Sequence, residues 1–204
     1  MPEAGGQQAG LAGLAFFESL PPELCRRADA LVYRRDYDAR QVVYFPDDPC
    51  DFAYWVEEGR VRVTRVGPDS RELSFRHAVP GTLFGEDMLA GRARREDYAE
   101  CLVPTRLVLV RADDFMRLCH GEPAFAVAVA RSVCQRAIEA EHVLAEAVFH
   151  SVRRRVAAGL VRLCAREATA PPHELRVTHQ EVANLCGTTR ETTTLVLQDR
   201  KSVV

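Results

Sequence analysis

Residues Thr178–Gln198 read THQEVANLCGTTRETTTLVLQ, and the rest of the chain is best read outward from them. Thr178 followed three residues later by Glu181 is a capping box: the hydroxyl accepts the third helical amide and the carboxylate reaches back to the cap amide. A short helix follows, then Gly187, then a second helix. Gly187 is expected in a tight turn where a side chain would clash, and Ala183 is expected to let the two helices approach closely. Val182, Cys186 and Val196 fall where such a pair buries its shared core. The pattern is a helix-turn-helix, with a generic two-helix hairpin as the alternative.

The head of the second helix, starting near Thr189, is Thr188-Thr189-Arg190-Glu191. Hydroxyls and amides at a helix N-terminus suit phosphate oxygens. An arginine can bond guanine O6 and N7 together, and a glutamate can accept from a cytosine amino group. The candidate DNA-contacting residues are therefore Thr178, Thr188, Thr189, Arg190, Glu191 and Thr194, and the expected partner is double-stranded DNA. Charge agrees. Residues 151–204 carry nine Lys and Arg against five Asp and Glu, a net of +4, whereas residues 1–150 carry 18 against 24, a net of −6. A basic end on an acidic body points to an anionic partner.

Upstream, Ser151–Glu167 reads as a helix with Arg153-Arg154-Arg155 in its first turn. Three cations there oppose the helix dipole, so either an external anion or a solvated charged face is implied. Thr169–Glu174 reads as a loop and Leu175–Thr178 as a short extended piece. Glu122–His150 is a helical pattern unusually long for a globular chain. Val129, Val133, Ala137, Ala140, Leu144 and Ala147 form a heptad-like stripe, which predicts pairing with a second copy. A core helix packed on the preceding domain is the other reading.

Between Val32 and Val110, short β-rich runs recur: Gln41–Phe45, Ala53–Glu57, Arg60–Val66, Glu72–His77, Tyr98–Leu102 and Arg106–Arg111. Pro, Gly and Asp clusters separate them, which predicts an antiparallel barrel or sandwich. Leu11–Leu20, Glu23–Leu31 and Asp113–Cys119 read as flanking short helices, the last capped by Asp113, and residues 1–10 as a disordered tail. The 204-residue chain has seven cysteines with no C-x-x-C pair. That excludes a zinc ribbon and suggests reduced, mostly buried thiols in the cytoplasm. No apolar run is long enough to span a membrane, and no basic-then-apolar leader opens the chain.

The chain resembles the CRP/FNR family of bacterial transcription regulators. Tyr54-Trp55-Val56-Glu57-Glu58-Gly59-Arg60-Val61 looks like the family's strand-turn motif. Pro80-Gly81-Thr82-Leu83-Phe84-Gly85-Glu86 looks like the start of its phosphate-binding cassette, and Gly187–Thr192 is similar to its recognition-helix start. The resemblance implies an α+β fold in three parts: an N-terminal antiparallel β-roll of the cyclic-nucleotide-binding kind over residues 11–121, a dimerisation helix over 122–150, and a helix-turn-helix domain over 151–204. It implies a homodimer that reads palindromic promoter sites and meets RNA polymerase.

Three departures from the family pattern follow. The effector pocket would be Gly85, Glu86, Arg95 and Glu96, but Glu96 stands where cyclic-nucleotide binders place a hydroxyl beside the phosphate. Its charge disfavours cyclic AMP, so a regulator without an effector is a candidate. The N-terminal cysteine cluster of an iron–sulfur sensor is absent, and His77, read as a surface residue, is the sole barrel histidine. Leu195 stands where many relatives place a further DNA-facing arginine. Finally, no wing follows the recognition helix. Asp199–Val204, which contain the single lysine, Lys201, are also what the start of a common sequencing adapter encodes, so the natural reading frame is expected to continue in their place. Two other functions compete: a cupin-type metalloenzyme, which needs clustered histidines, and a β-roll sensing module that signals through protein contacts with a non-functional DNA-binding end.

Overall fold

The computed structural model describes residues 11–67, 72–167 and 177–199, without the side chains of residues 146, 147 and 165–167. The expected tail over 1–10, the loop Thr169–Glu174 and residues 200–204 lie outside the described residues. The chain divides into two compact units, residues 1–63 with 76–135 and residues 64–75 with 136–204.

In the first unit, the segment read as a helix over Leu11–Leu20 is a run of tighter turns. Leu14, Phe17 and Leu20 amides donate to the carbonyls of Leu11, Leu14 and Phe17. Three-residue spacing puts these four side chains on one line, and all four are buried. Helix α1 (Pro22–Asp29) begins with a proline, whose missing N–H costs nothing at that position.

The strands are β1 (Val32–Tyr37), β2 (Val42–Tyr44), β3 (Phe52–Glu58), β4 (Val61–Val66), β5 (Glu72–Ala78), β6 (Leu83–Phe84), β7 (Tyr98–Cys101) and β8 (Thr105–Arg111). They form two four-stranded sheets, β1-β8-β3-β6 and β2-β7-β4-β5. β1 and β6 were not expected as strands. β1 reads VYRRDY and hides its pattern behind charges, and β6 has two residues. β8 pairs with β1 from Val32↔Val110 to Tyr37↔Thr105 and, on its other edge, with β3. Successive side chains of a strand point to opposite faces. Leu107 and Leu109 therefore join Tyr37, Tyr54, Val56 and Phe84 in one core, while Val108 and Val110 join Trp55, Phe17, Phe115 and Phe125 in another. Burial on both faces explains the unbroken apolar run LVLV. His77 is buried, against the surface reading, although it shares the face of β5 that exposes Leu73 and Phe75.

Helix α2 (Ala112–Gly121) is not capped by Asp113. Its cap is Arg111, without a side-chain bond, and Asp113 and Asp114 occupy the first turn, where carboxylates favour the dipole. Helix α3 (Pro123–Phe149) follows. Val129, read as part of a dimer stripe, is 4% exposed and packs with Phe125 and Ala128 in the Trp55 core. Heptad spacing cannot tell a partner's face from the chain's own core. Val133, Ala137, Ala140 and Leu144 are exposed, and the Ala147 side chain lies outside the described residues.

The second unit holds α4 (Val152–Glu167), α5 (His179–Cys186) and α6 (Arg190–Gln198). Val156, Val182 and Cys186 form its core, joined by Val152, Leu160, Val177, Leu185, Val196 and Leu197.

Candidate nucleic-acid interface

Helix α5 opens with the expected capping box. Thr178 Oγ1 accepts from the Glu181 amide at 3.2 Å, and Glu181 Oε2 accepts from the Thr178 amide at 2.6 Å. Gly187 closes the helix in the left-handed region, φ +60°, and the Thr188 amide donates to Ala183 O at 3.0 Å. The expected reason for this glycine is corrected. A Cβ built there meets nothing within 4 Å, so the backbone angle, not a clash, requires it. The clash is at Gly159 on α4, where a Cβ would lie 2.8 Å from Cys186 Sγ. Gly159 thus lets α4 and α5 touch, a role that its place in an ordinary helical pattern concealed.

Thr189 caps α6, its hydroxyl accepting from the Thr192 amide at 3.2 Å. Arg190 and Glu191 then occupy the first turn. Both are exposed, and neither side chain has a hydrogen bond or ion pair among the described residues. Thr188 is half-buried beside them. The other two candidates are committed to the protein. Thr178 is occupied by its capping box. Thr194 Oγ1 donates to Arg190 O at 2.8 Å, which leaves it to accept from His179 Nδ1 at 2.9 Å. This tie between the first turn of α5 and the middle of α6 was not visible in the sequence, because it crosses the turn. Of the three arginines opening α4, Arg153 pairs with Asp199 at 2.6 Å and Arg154 is exposed. The second unit also holds Asn184 inside: it accepts from Gln180 at 2.6 Å and donates to Glu72 at 3.3 Å.

The first unit carries the expected effector residues. Arg95 has a fully buried side chain. It donates to Gly85 O at 2.7 Å, to Asp87 Oδ2 at 2.6 Å and to Phe52 O at 2.5 Å, with the Tyr44 ring 4.4 Å from its guanidinium carbon. Burial pushes the Tyr54 hydroxyl up to about 12 and that of Tyr44 well above the usual range, so both stay neutral beside the cation. Burial alone would weaken the charge on Arg95, but its surroundings, with the hydrogen-bonded Asp87 carboxylate as the anion, leave the guanidinium raised. Gly85 is held at φ +71°, with the Tyr54 ring 2.8 Å from where its Cβ would be. Glu86 is buried and lies 3.6 Å from Arg76. Glu96 is half-exposed and pairs with Arg92, four residues earlier in the loop. The structure thus joins Gly85 to Arg95 and leaves Glu96 outside. Phe52, Asp87, Tyr44 and Tyr54 complete the cluster, and long-range pairing brings them together with no local signal.

Comparison with known proteins agrees at both ends. Residues 34–122 match the cyclic nucleotide-binding domain, and residues 154–202 match the Crp-like helix-turn-helix domain. A "Cyclic AMP receptor protein" from Thermus thermophilus is 31% identical over 187 residues, covering 92% of this chain and 85% of that protein. The chain belongs to the CRP/FNR family of transcription regulators. A "CRP-like cAMP-activated global transcriptional regulator" of Mycobacterium tuberculosis is 28% identical over 193 residues, covering 93% of this chain and 86% of the relative. Among solved structures, the c-di-GMP-responsive global regulator CLP of Xanthomonas campestris superposes with a TM-score of 0.81 at 25% identity, covering 89% of this chain and 92% of the other. The chain is accordingly a DNA-binding transcription regulator, and the reading with a non-functional DNA-binding end is not favoured.

A cyclic nucleotide is the effector that a CRP/FNR barrel suggests, and the residues here do not fit its phosphate. The buried guanidinium already serves two carbonyls and a carboxylate, and its charge is balanced by Asp87. The residue after it supplies a carboxylate turned outward, not a hydroxyl turned in.

Proposed function

We propose that this CRP/FNR protein is a cytoplasmic homodimer that reads a palindromic promoter site with Arg190 and Glu191, in a binding rather than a catalytic role, and needs no cyclic nucleotide to do so. The observation that carries the reading is the exposed Arg190–Glu191 couple at the head of α6, whose side chains have no partner among the described residues. An arginine in a first helical turn is opposed by the dipole, and a guanine edge supplies the acceptors that compensate it. The +4 charge of residues 151–204 draws the duplex to this end.

Exposed Val133, Ile138, Leu144 and Val148 on α3 support pairing with a second copy. Such a pair sets two recognition helices about 34 Å apart, one turn of DNA. No described helix is long and apolar enough to cross a membrane. RNA polymerase is the protein partner that a promoter-bound dimer would meet. The self-contained Arg95 cluster supports independence from cyclic AMP, whatever the named relatives bind.

The test is selection from a random duplex pool, followed by titration of the chosen site with and without cyclic AMP. A palindrome bound equally well in both conditions is expected. Affinity that rises on adding cyclic AMP contradicts the effector reading, and the absence of any selected sequence contradicts the site reading.

A further inference from the structure

We propose that Leu195 is a base-reading residue that selects a thymine through its 5-methyl group. The inference rests on α6 being the DNA-reading helix and adds what its middle turn recognises. At 100° per residue, Arg190, Glu191, Leu195 and Gln198 share one face, within an arc of about 140°. All four are exposed, whereas Thr193 on the opposite side is buried and Val196 and Leu197 pack into the core of the helical unit.

Leu195 is 68% exposed and takes no part in that core. A leucine left mostly exposed gains little from burial in the isolated protein, and its neighbours on the face are polar. Thr194 lies within the same arc, but its hydroxyl is bound to Arg190 O and His179. Apart from the Gln198 amide in the last turn, the groups left to meet a duplex are a donor fork at Arg190, an acceptor at Glu191 and a branched apolar side chain at Leu195. The major groove offers acceptors, donors and one apolar feature, the thymine methyl. The three side chains match these three kinds of partner. Leu195 stands one helical turn beyond Glu191, about 6 Å along the axis. It therefore meets a base pair one or two steps from the one that Glu191 reads.

Replacing thymine by deoxyuridine removes the methyl and nothing else. Duplexes selected by the chain from a random pool are resynthesised with deoxyuridine at each thymine in turn. One thymine per half-site should weaken binding about fourfold when replaced, the worth of one methyl group taken out of water. For Leu195→Ala, the thymine and deoxyuridine duplexes should bind alike, with the guanine read by Arg190 still selected. For Leu195→Arg, the selected base at that position should change from thymine to guanine. A wild-type chain indifferent to deoxyuridine everywhere, or methyl sensitivity that survives in Leu195→Ala, overturns the proposal and leaves the DNA-reading role of α6 intact. A pool that yields no preferred sequence overturns that role, and this inference with it.

Discussion

Arg190 stands where the helix dipole repels it, with an open side chain and no partner among the described residues. Replacing it by alanine should cost about 1–3 kcal/mol on the selected site, relax the preference at one base pair and leave random duplex almost unaffected. Anisotropy titrations on both duplexes check this, and equal losses on the two would make Arg190 a phosphate contact instead. Arg95 is the opposite case, a cation the fold cannot do without. Arg95→Ala strips donors from Gly85 O and Phe52 O and leaves Asp87 without its cation. Asp87 is about one-third exposed, which softens its share. We expect a loss of about 3 kcal/mol in urea unfolding, with DNA affinity unchanged in the protein that remains folded. Unchanged stability would mean that the cluster is not structural.

Among the elements, α3 has two characters. Phe125, Ala128 and Val129 anchor its first turns in the Trp55 core, whereas Val133, Ile138, Leu144 and Val148 are exposed. Leu144→Glu should shift the proposed dimer toward monomer by removing a side chain worth about 1.5–3 kcal/mol when buried, and sedimentation velocity reads the change. An unaltered dimer would place the seam elsewhere. The same helix shows how far sequence reading reaches. Its length and period were legible, but Val129 went to the wrong side, because spacing does not say which neighbour covers a stripe. The capping box was legible because it is local to four residues. The His179–Thr194 tie, the Gly159 contact and the partners of Arg95 were not, since each joins residues that only the folded chain brings together. β8 announced itself through LVLV, whereas β1 was masked by its exposed arginines.

For the whole molecule, an acidic body and a basic end orient the approach to DNA, and salt should weaken that attraction. If the dimer makes six or more phosphate contacts, affinity should fall by about 10³–10⁵ between 50 and 200 mM salt. A flat salt response would remove the electrostatic part of the argument. Folding brings its own hazard. The run Leu107–Val110, enclosed on both faces once folded, is an apolar, β-prone segment of the kind that stacks between molecules while it is still bare. Arg106 and Arg111 flank it and act as gatekeepers. Its partners β1 and β3 precede it in the chain, so both have been synthesised before it emerges from the ribosome. Converting both arginines to threonine should barely alter the finished protein, since the Arg106 pairs with Asp36 and Glu58 are exposed. It should nonetheless send much of the newly made chain into inclusion bodies.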